Sequence, residues 1–331
     1  MSTINWLFEL NFAIFSVFLV LYVTELMGGV LLILSYDAVK EKVLPYVVPI
    51  WEVTGTFAAF WVVTADFAYP AMLIPVATLL AGPIVVFLLL FVARNAMISF
   101  AELITRRGGW INEKRLYQLY GLATLLIGVV VIMVLSMIVT AAGVTLSPLS
   151  FSVWTWVTNA GSVPYLLGVI LIALGLAPVF YDIAPLRKIT LPLTALGVLA
   201  EVAALYLYSS SFVNAWIVIP AVLTIAAALL YNLPPTAAIV SKKIVFALVA
   251  TVAVFSLNYL VYPTFLNGAL SVDGVTTHGP MVGVFYVLTG VGFIVVGLLM
   301  ALYMLSAWRS GKVTSPVPPT ARPSTPAGHN P

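Results

Sequence analysis

Three carboxylates fall inside runs of apolar residues long enough to cross a bilayer: Glu25, Glu52 and Glu201. A charged group at mid-membrane costs several kcal/mol unless it is protonated or paired, so such acids either mark ion and proton routes or hydrogen-bond neighbouring helices together. Both roles are open for all three. Counted from the ends of their spans nearest the basic loops, Glu25 lies nine residues in from Leu34, Glu52 eight from Leu44 and Glu201 ten from Leu191. At 1.5 Å per residue these are depths of about 12 to 15 Å, so the three share a level. Glu25 and Glu52 belong to consecutive spans joined by a short loop and are expected to be neighbours that share a proton. Arg94 is expected at the inner end of the third span. There it either reaches about 9 Å up toward Glu52 or anchors to lipid headgroups. Asp66 and Glu9 fall near the outer interface and read as solvated.

Other chemistry lacks its ligands. There is no cysteine, and His278 and His329 are the only histidines, one in a loop and one in the C-terminal tail. A bis-histidine haem needs ligands within the spans, and iron–sulfur and zinc sites need cysteine or histidine clusters, so none is expected in this chain. No phosphate-cradling glycine loop or Ser-His-Asp arrangement is present; the scattered glycines suit close helix packing instead. No catalytic residue and no metal ligand are therefore assigned.

The elements that must hold these acids follow from composition. Of 331 residues 63% are hydrophobic and 8% charged, against about a quarter charged in a soluble domain. That excludes a water-soluble enzyme and a nucleic-acid-binding module. A bilayer core of about 30 Å needs about 20 apolar residues per helix. Nine segments meet or approach this: 12–34, 44–67, 71–93, 117–142, 163–183, 191–208, 212–231, 244–266 and 281–306. The weakest boundary is Ser209-Ser210-Ser211, but one helix over 191–231 would be about 60 Å long, twice the hydrocarbon thickness.

The basic residues confirm the count. Numbering the loops in order, Lys40 and Lys42 lie in the first, Arg94, Arg106, Arg107, Lys114 and Arg115 in the third, Arg187 and Lys188 in the fifth, and Lys242 and Lys243 in the seventh. Arg309, Lys312 and Arg322 follow the ninth span, which accounts for all 14 Lys and Arg. Complete segregation to one side places the N-terminus outside and the C-terminus in the cytoplasm of a prokaryotic plasma membrane. Trp6, Trp154 and Trp156 at the outer ends, and Trp110 and Trp308 at the inner ones, read as interfacial anchors. The N-terminus lacks a basic n-region, so the first span is expected to be retained. Residues 1–310 are thus an all-α, nine-helix transmembrane domain, and 311–331 a disordered Pro-rich cytoplasmic tail.

Taken together, these positions resemble subunit II of the cytochrome bd quinol oxidases. That family has an acid in its first helix, a Pro-x-Trp-Asp segment, a Trp-Pro-like break between helices two and three, and an arginine closing helix three. The counterparts here are Glu25, Pro49-Ile50-Trp51-Glu52, Tyr69-Pro70 and Arg94. Val261-Tyr262-Pro263, the polar loop through Asp273, Tyr303 to Trp308 and Gly311-Lys312 are similar as well. The match covers roughly the first 107 residues and the last 55. Two departures stand out. The family's Gly-Asn-Gln-Val-Trp after the acid is Val53-Thr54-Gly55-Thr56-Phe57, and Glu52 stands for Asp.

The resemblance implies two four-helix bundles plus one helix, paired with a subunit I that carries two b haems and one d haem, oxidises quinol and reduces oxygen. The chain would stabilise that partner without binding haem, with a structural quinone possible. It would also offer cytoplasmic protons a path through Glu52 and Glu25, and by its depth Glu201, with Arg94 and Trp51 in structural roles. Two other readings stay open. One is a quinol-interacting membrane anchor of an iron–sulfur or molybdenum oxidoreductase, loosely suggested by Gly28-Gly29. The other is a secondary transporter, for which inverted repeats are expected and none is evident.

Overall fold

The computed structural model describes residues 5–103 and 112–310. The tail 311–331, Arg106, Arg107 and Trp110 lie outside these, as does the side chain of Trp308. The fold is all-α apart from two short hairpins. Among the described residues, eight helices are long and apolar enough to cross a membrane.

The first of them, α1 (Trp6–Ala68), runs for 63 residues, about 95 Å if straight and three times the hydrocarbon thickness. It breaks at Ser35 (φ −150°, ψ 44°), where Ser35, Asp37, Lys40, Glu41 and Lys42 bring polar groups that lipid will not hold. Its two arms fold back on each other. Asn11 Nδ2 donates to Thr64 Oγ1 at 3.1 Å, and the Phe15 and Phe18 rings lie 4.8 and 6.1 Å from that of Trp61. Counting the arms separately, the eight helices supply nine apolar passes.

The first arm starts at Trp6 rather than residue 12 because the Asn5 side chain accepts from the Phe8 amide (3.3 Å), a cap that extends the helix outward. After Tyr69, Pro70 opens α2 (Pro70–Leu79), which breaks at Leu80 before α3 (Ala81–Leu103). Pro83 has no amide to return to the Leu79 carbonyl, which accounts for the break. The expected third span thus becomes two helices, and it ends at Leu103 instead of residue 93. Arg94 is consequently inside a helix, not at its end.

Both arms of α1, α3 and α4 (Glu113–Thr140) contact one another in one group. The helices α6 (Ser162–Tyr181), α7 (Arg187–Tyr208), α8 (Ala215–Asn232) and α10 (Lys243–Ser256) form a second, and α1 and α4 join the two. The Ser209 side chain caps a 3-10 turn, Ser210–Phe212, so the doubtful boundary is a real reversal. Short helices α5 (Val153–Thr158) and α9 (Pro234–Val240) sit in connections. The expected span 244–266 is shorter: α10 stops at Ser256, and α11 (Asn258–Val261) leads into a hairpin of β3 (Thr264–Phe265) and β4 (Leu270–Ser271). The other hairpin joins β1 (Val144–Leu146) and β2 (Leu149–Phe151), and α12 (Val272–Val275) follows β4. From Tyr286 onward the chain is a separate unit containing most of one long helix, α13 (Pro280–Ser310).

Side-chain contacts bring the odd-numbered loops to one end of the main unit. Lys114 Nζ meets Asp37 Oδ2 at 2.6 Å, and Tyr36 donates to Glu113 (3.2 Å), linking the first and third loops. Lys42 approaches Asp182 Oδ2 (4.0 Å), linking the first and fifth, and Lys243 of the seventh donates to the Phe180 carbonyl. The N-terminus and the even-numbered loops meet at the other end: Asn5 donates to Asp273 (2.9 Å), and the Thr277 amide to Ala68 O (2.8 Å). Trp6 and Trp154 are exposed there as anchors should be. Trp156 is not. It is 3% exposed, with its indole donating to Ser136 Oγ at 2.8 Å, because α5 folds inward over α4 rather than lying along the interface.

Candidate functional site: the acids within the spans

Arg94 is the largest fully buried side chain among the described residues, 1% exposed, and its partner is Glu25, which is wholly buried. Arg94 Nε donates to Glu25 Oε1 at 2.7 Å, and Nη2 and the Tyr120 hydroxyl donate to the same oxygen. Nη1 donates to Asn95 Oδ1 (3.0 Å), which also accepts from the Trp51 indole (2.7 Å). The guanidinium carbon lies 5.3 Å from the Phe91 ring centroid and 5.8 Å from that of Tyr120. One network therefore ties both arms of α1 to α3 and α4.

Small residues make this approach possible. A Cβ on Gly29 would stand 3.1 Å from the Gly121 Cα, and one on Gly121 would collide with the Gly29 carbonyl. α1 and α4 touch there backbone to backbone, one residue from the Tyr120 that reaches Glu25. The Tyr181 hydroxyl donates to the Thr24 carbonyl at 2.8 Å and so steadies the same turn of α1 from α6.

Of the two roles open to Arg94, neither the contact with Glu52 nor a headgroup anchor forms: it is buried and paired with Glu25. A helix rotates about 100° per residue, and the turn that points the Trp51 indole at Asn95 points Glu52 away. Glu52 is exposed on the second arm and has no side-chain partner among the described residues. Thr56, Ala59 and Val63, which follow at i+4, i+7 and i+11, are exposed on the same face. Glu25 and Glu52 are thus not in contact, and the link between them runs through Arg94, Asn95 and Trp51. Sequence reasoning missed Asn95 and Tyr120; the signal available was a second polar residue beside Arg94 inside an apolar helix.

Glu201 sits apart on α7, against Gly168 of α6, where an added Cβ would lie 2.8 Å from Glu201 Oε1. That oxygen is buried without a hydrogen-bond partner. Glu201 also lines a cavity of about 500 Å³ between α1, α4, α6, α7, α8 and α10, whose wall is otherwise apolar except for Tyr22, Tyr165 and two threonines. Among the described residues no cation lines the cavity. Near the outer end Glu9 accepts from Asn258 Nδ2 at 2.7 Å and is half-buried, so it is paired rather than simply solvated. Asp66 is half-buried. Among the described residues, no group of three or more acids, histidines or cysteines is placed to hold a metal ion.

The architecture defines a polytopic all-α membrane protein. No family model matches the chain, and no curated protein matches it by sequence. Among solved structures it is similar to a chain of the bd oxidase from Geobacillus thermodenitrificans, with a TM-score of 0.67 over 92% of this chain and 97% of that one, at 17% identity. The fold is therefore that of a cytochrome bd oxidase component.

Proposed function

We propose that the chain is the haem-free subunit of a bd-type quinol:oxygen oxidoreductase, embedded beside a haem-bearing subunit I that it stabilises. The observation that carries this reading is Glu52. A carboxyl at mid-depth on the outer face of a helix, with no side-chain partner among the described residues, is costly against lipid. A second polytopic subunit covering the 52–56–59–63 stripe would remove that cost. The likeness in fold to a bd oxidase chain supports such a partner.

In this reading the partner's b and d haems supply quinol oxidation and oxygen reduction. This chain's part is to hold the interface and to pass cytoplasmic protons at the Glu52 carboxyl, which lies exposed on the second arm of α1. Glu25 has a different task. Its carboxylate is held by a guanidinium that does not deprotonate, so it fixes the rotation of α1 and, through Asn95 and Trp51, the direction of Glu52. Glu201 is assigned to a structural quinone rather than to the proton route: it lines an apolar cavity that suits a ring or chain bearing one polar group. These roles make the anchor and transporter readings the weaker ones.

Purification of the tagged chain from native membranes tests this. We expect a second polytopic subunit and a b- and d-haem signal in the reduced-minus-oxidised spectrum. Co-purifying iron–sulfur subunits, or a colourless lone protein, would overturn the assignment.

A further inference from the structure

The end of the molecule where the odd-numbered loops meet is unevenly compensated. At the turn of α1, Lys114 has Asp37. Across the junction of α1, α6, α7, α8 and α10, by contrast, Lys42, Arg187 and Lys243 converge on the single acid Asp182. Lys42 Nζ is 4.0 Å from Asp182 Oδ2 and donates to the Asp182 carbonyl, while Lys243 donates to the Phe180 carbonyl. The Tyr231 hydroxyl donates to Asp182 Oδ1 at 3.3 Å, and the Arg187 guanidinium lies 4.9 Å from the Tyr231 ring centroid. Lys188 and Lys242, next in sequence, are exposed; so is the acid Glu41, adjacent in sequence to Lys42.

The cations keep unused donors. Each ammonium has three N–H groups and spends one on a carbonyl at the C-terminus of α6. Arg187 Nε is buried and has no hydrogen-bond partner. α7 and α10 both begin at this junction without a side-chain cap; a 3-10 turn pairs the Arg187 amide with the Ala184 carbonyl at the start of α7, whereas the first turn of α10 faces the junction with the positive end of its dipole. An anion would meet all of these donors. The apolar surface beside the junction separates a lipid from a soluble anion: Ile244 and Leu248, one turn apart on α10, are 68% and 63% exposed, and Ile239 of α9 is 54% exposed. They form a track for an acyl chain that begins one residue from Lys243.

We infer that this junction binds the phosphate of an anionic phospholipid, with one acyl chain along α9 and α10. Basic pockets between helices on the cytoplasmic side suit such headgroups. The site shares no residue with the proposed proton path.

The test uses the purified full chain with whatever subunits accompany it. Melting is followed after delipidation with added phosphatidylglycerol, phosphatidylcholine or inorganic phosphate, alongside the copies of phosphatidylglycerol retained in native mass spectrometry. Phosphatidylglycerol alone should raise the melting temperature. Arg187→Gln should lower lipid retention at least threefold, as should the double variant Lys188→Gln/Lys242→Gln, which alters two exposed side chains and leaves the packing intact. Lys114→Gln should retain it. Equal responses to phosphatidylglycerol and phosphatidylcholine, or full retention in both variants, would overturn the site. Inorganic phosphate reproducing the shift would overturn its assignment to a lipid.

Discussion

Arg94→Met leaves Glu25 buried with only the Tyr120 hydroxyl; Glu25→Gln leaves a guanidinium buried with amide oxygens as acceptors and no counter-charge. Either change strands a charge in a low-dielectric core, and breaking a buried pair from one side costs about 3–5 kcal/mol. The double variant Glu25→Gln/Arg94→Met strands none. It loses the pair's attraction and its hydrogen bonds, but it also removes the desolvation of two ions, so replacing both is often close to neutral. Its cost should be about 1–2 kcal/mol, well below either single change. Summing two singles of about 4 kcal/mol gives about 8 kcal/mol, so the coupling energy should be at least about 3 kcal/mol. The assay is reversible unfolding of the purified chain in mixed micelles by sodium dodecyl sulfate, with the four proteins of the cycle measured together. If the two single changes add to within about 0.5 kcal/mol, the pair is not a coupled unit and the role given to Glu25 fails.

Tyr120→Phe removes one hydrogen bond to a charged acceptor and should cost about 1.5–3 kcal/mol in the same assay. Glu52→Gln should leave stability unchanged yet slow proton-coupled oxygen reduction in the assembled complex; an unchanged turnover and proton uptake, in preparations with full haem content, would remove Glu52 from the path. Gly168→Ala drives a methyl to 2.8 Å from Glu201 Oε1 and 2.9 Å from its backbone nitrogen and should cost about 1–3 kcal/mol. Gly82→Ala meets nothing within 4 Å and should be neutral or stabilising by up to about 1 kcal/mol. Trp156→Phe removes the indole's hydrogen bond to Ser136 Oγ, which keeps its own bond to the Met133 carbonyl, and should cost about 0.5–1.5 kcal/mol, whereas Trp154→Phe should be silent.

What the sequence made legible was whatever the bilayer forces. Lipid admits neither charge nor unpaired backbone, so apolar run lengths and the one-sided basic residues returned nine passes and the loops that meet at each end. Side-chain pairing was less legible, because it depends on helix rotation and not on depth. Depth alone put Arg94 within reach of Glu52, and a rotation of one residue's worth gave it Glu25. The same treatment of charge as a helix terminator stopped the third span at residue 93, although a paired arginine is no barrier to continuing to Leu103. Trp156 was misplaced for a related reason: tryptophan near a span end usually anchors, and only the inward fold of α5 shows that this one packs. The heptad spacing of Gly161, Gly168 and Gly175 was visible in the sequence, yet which residues of α7 fill those notches was not.

The ion pair also constrains the order in which the chain can be built. Glu25 and Arg94 are 69 residues apart, an interval of about 3–14 s at 5–20 residues per second of synthesis. For that time the first arm of α1 exists with an acid and no cation to meet it. The acid and its cation are therefore made at different times, and the network that ties both arms of α1 to α3 can close only once α3 has emerged.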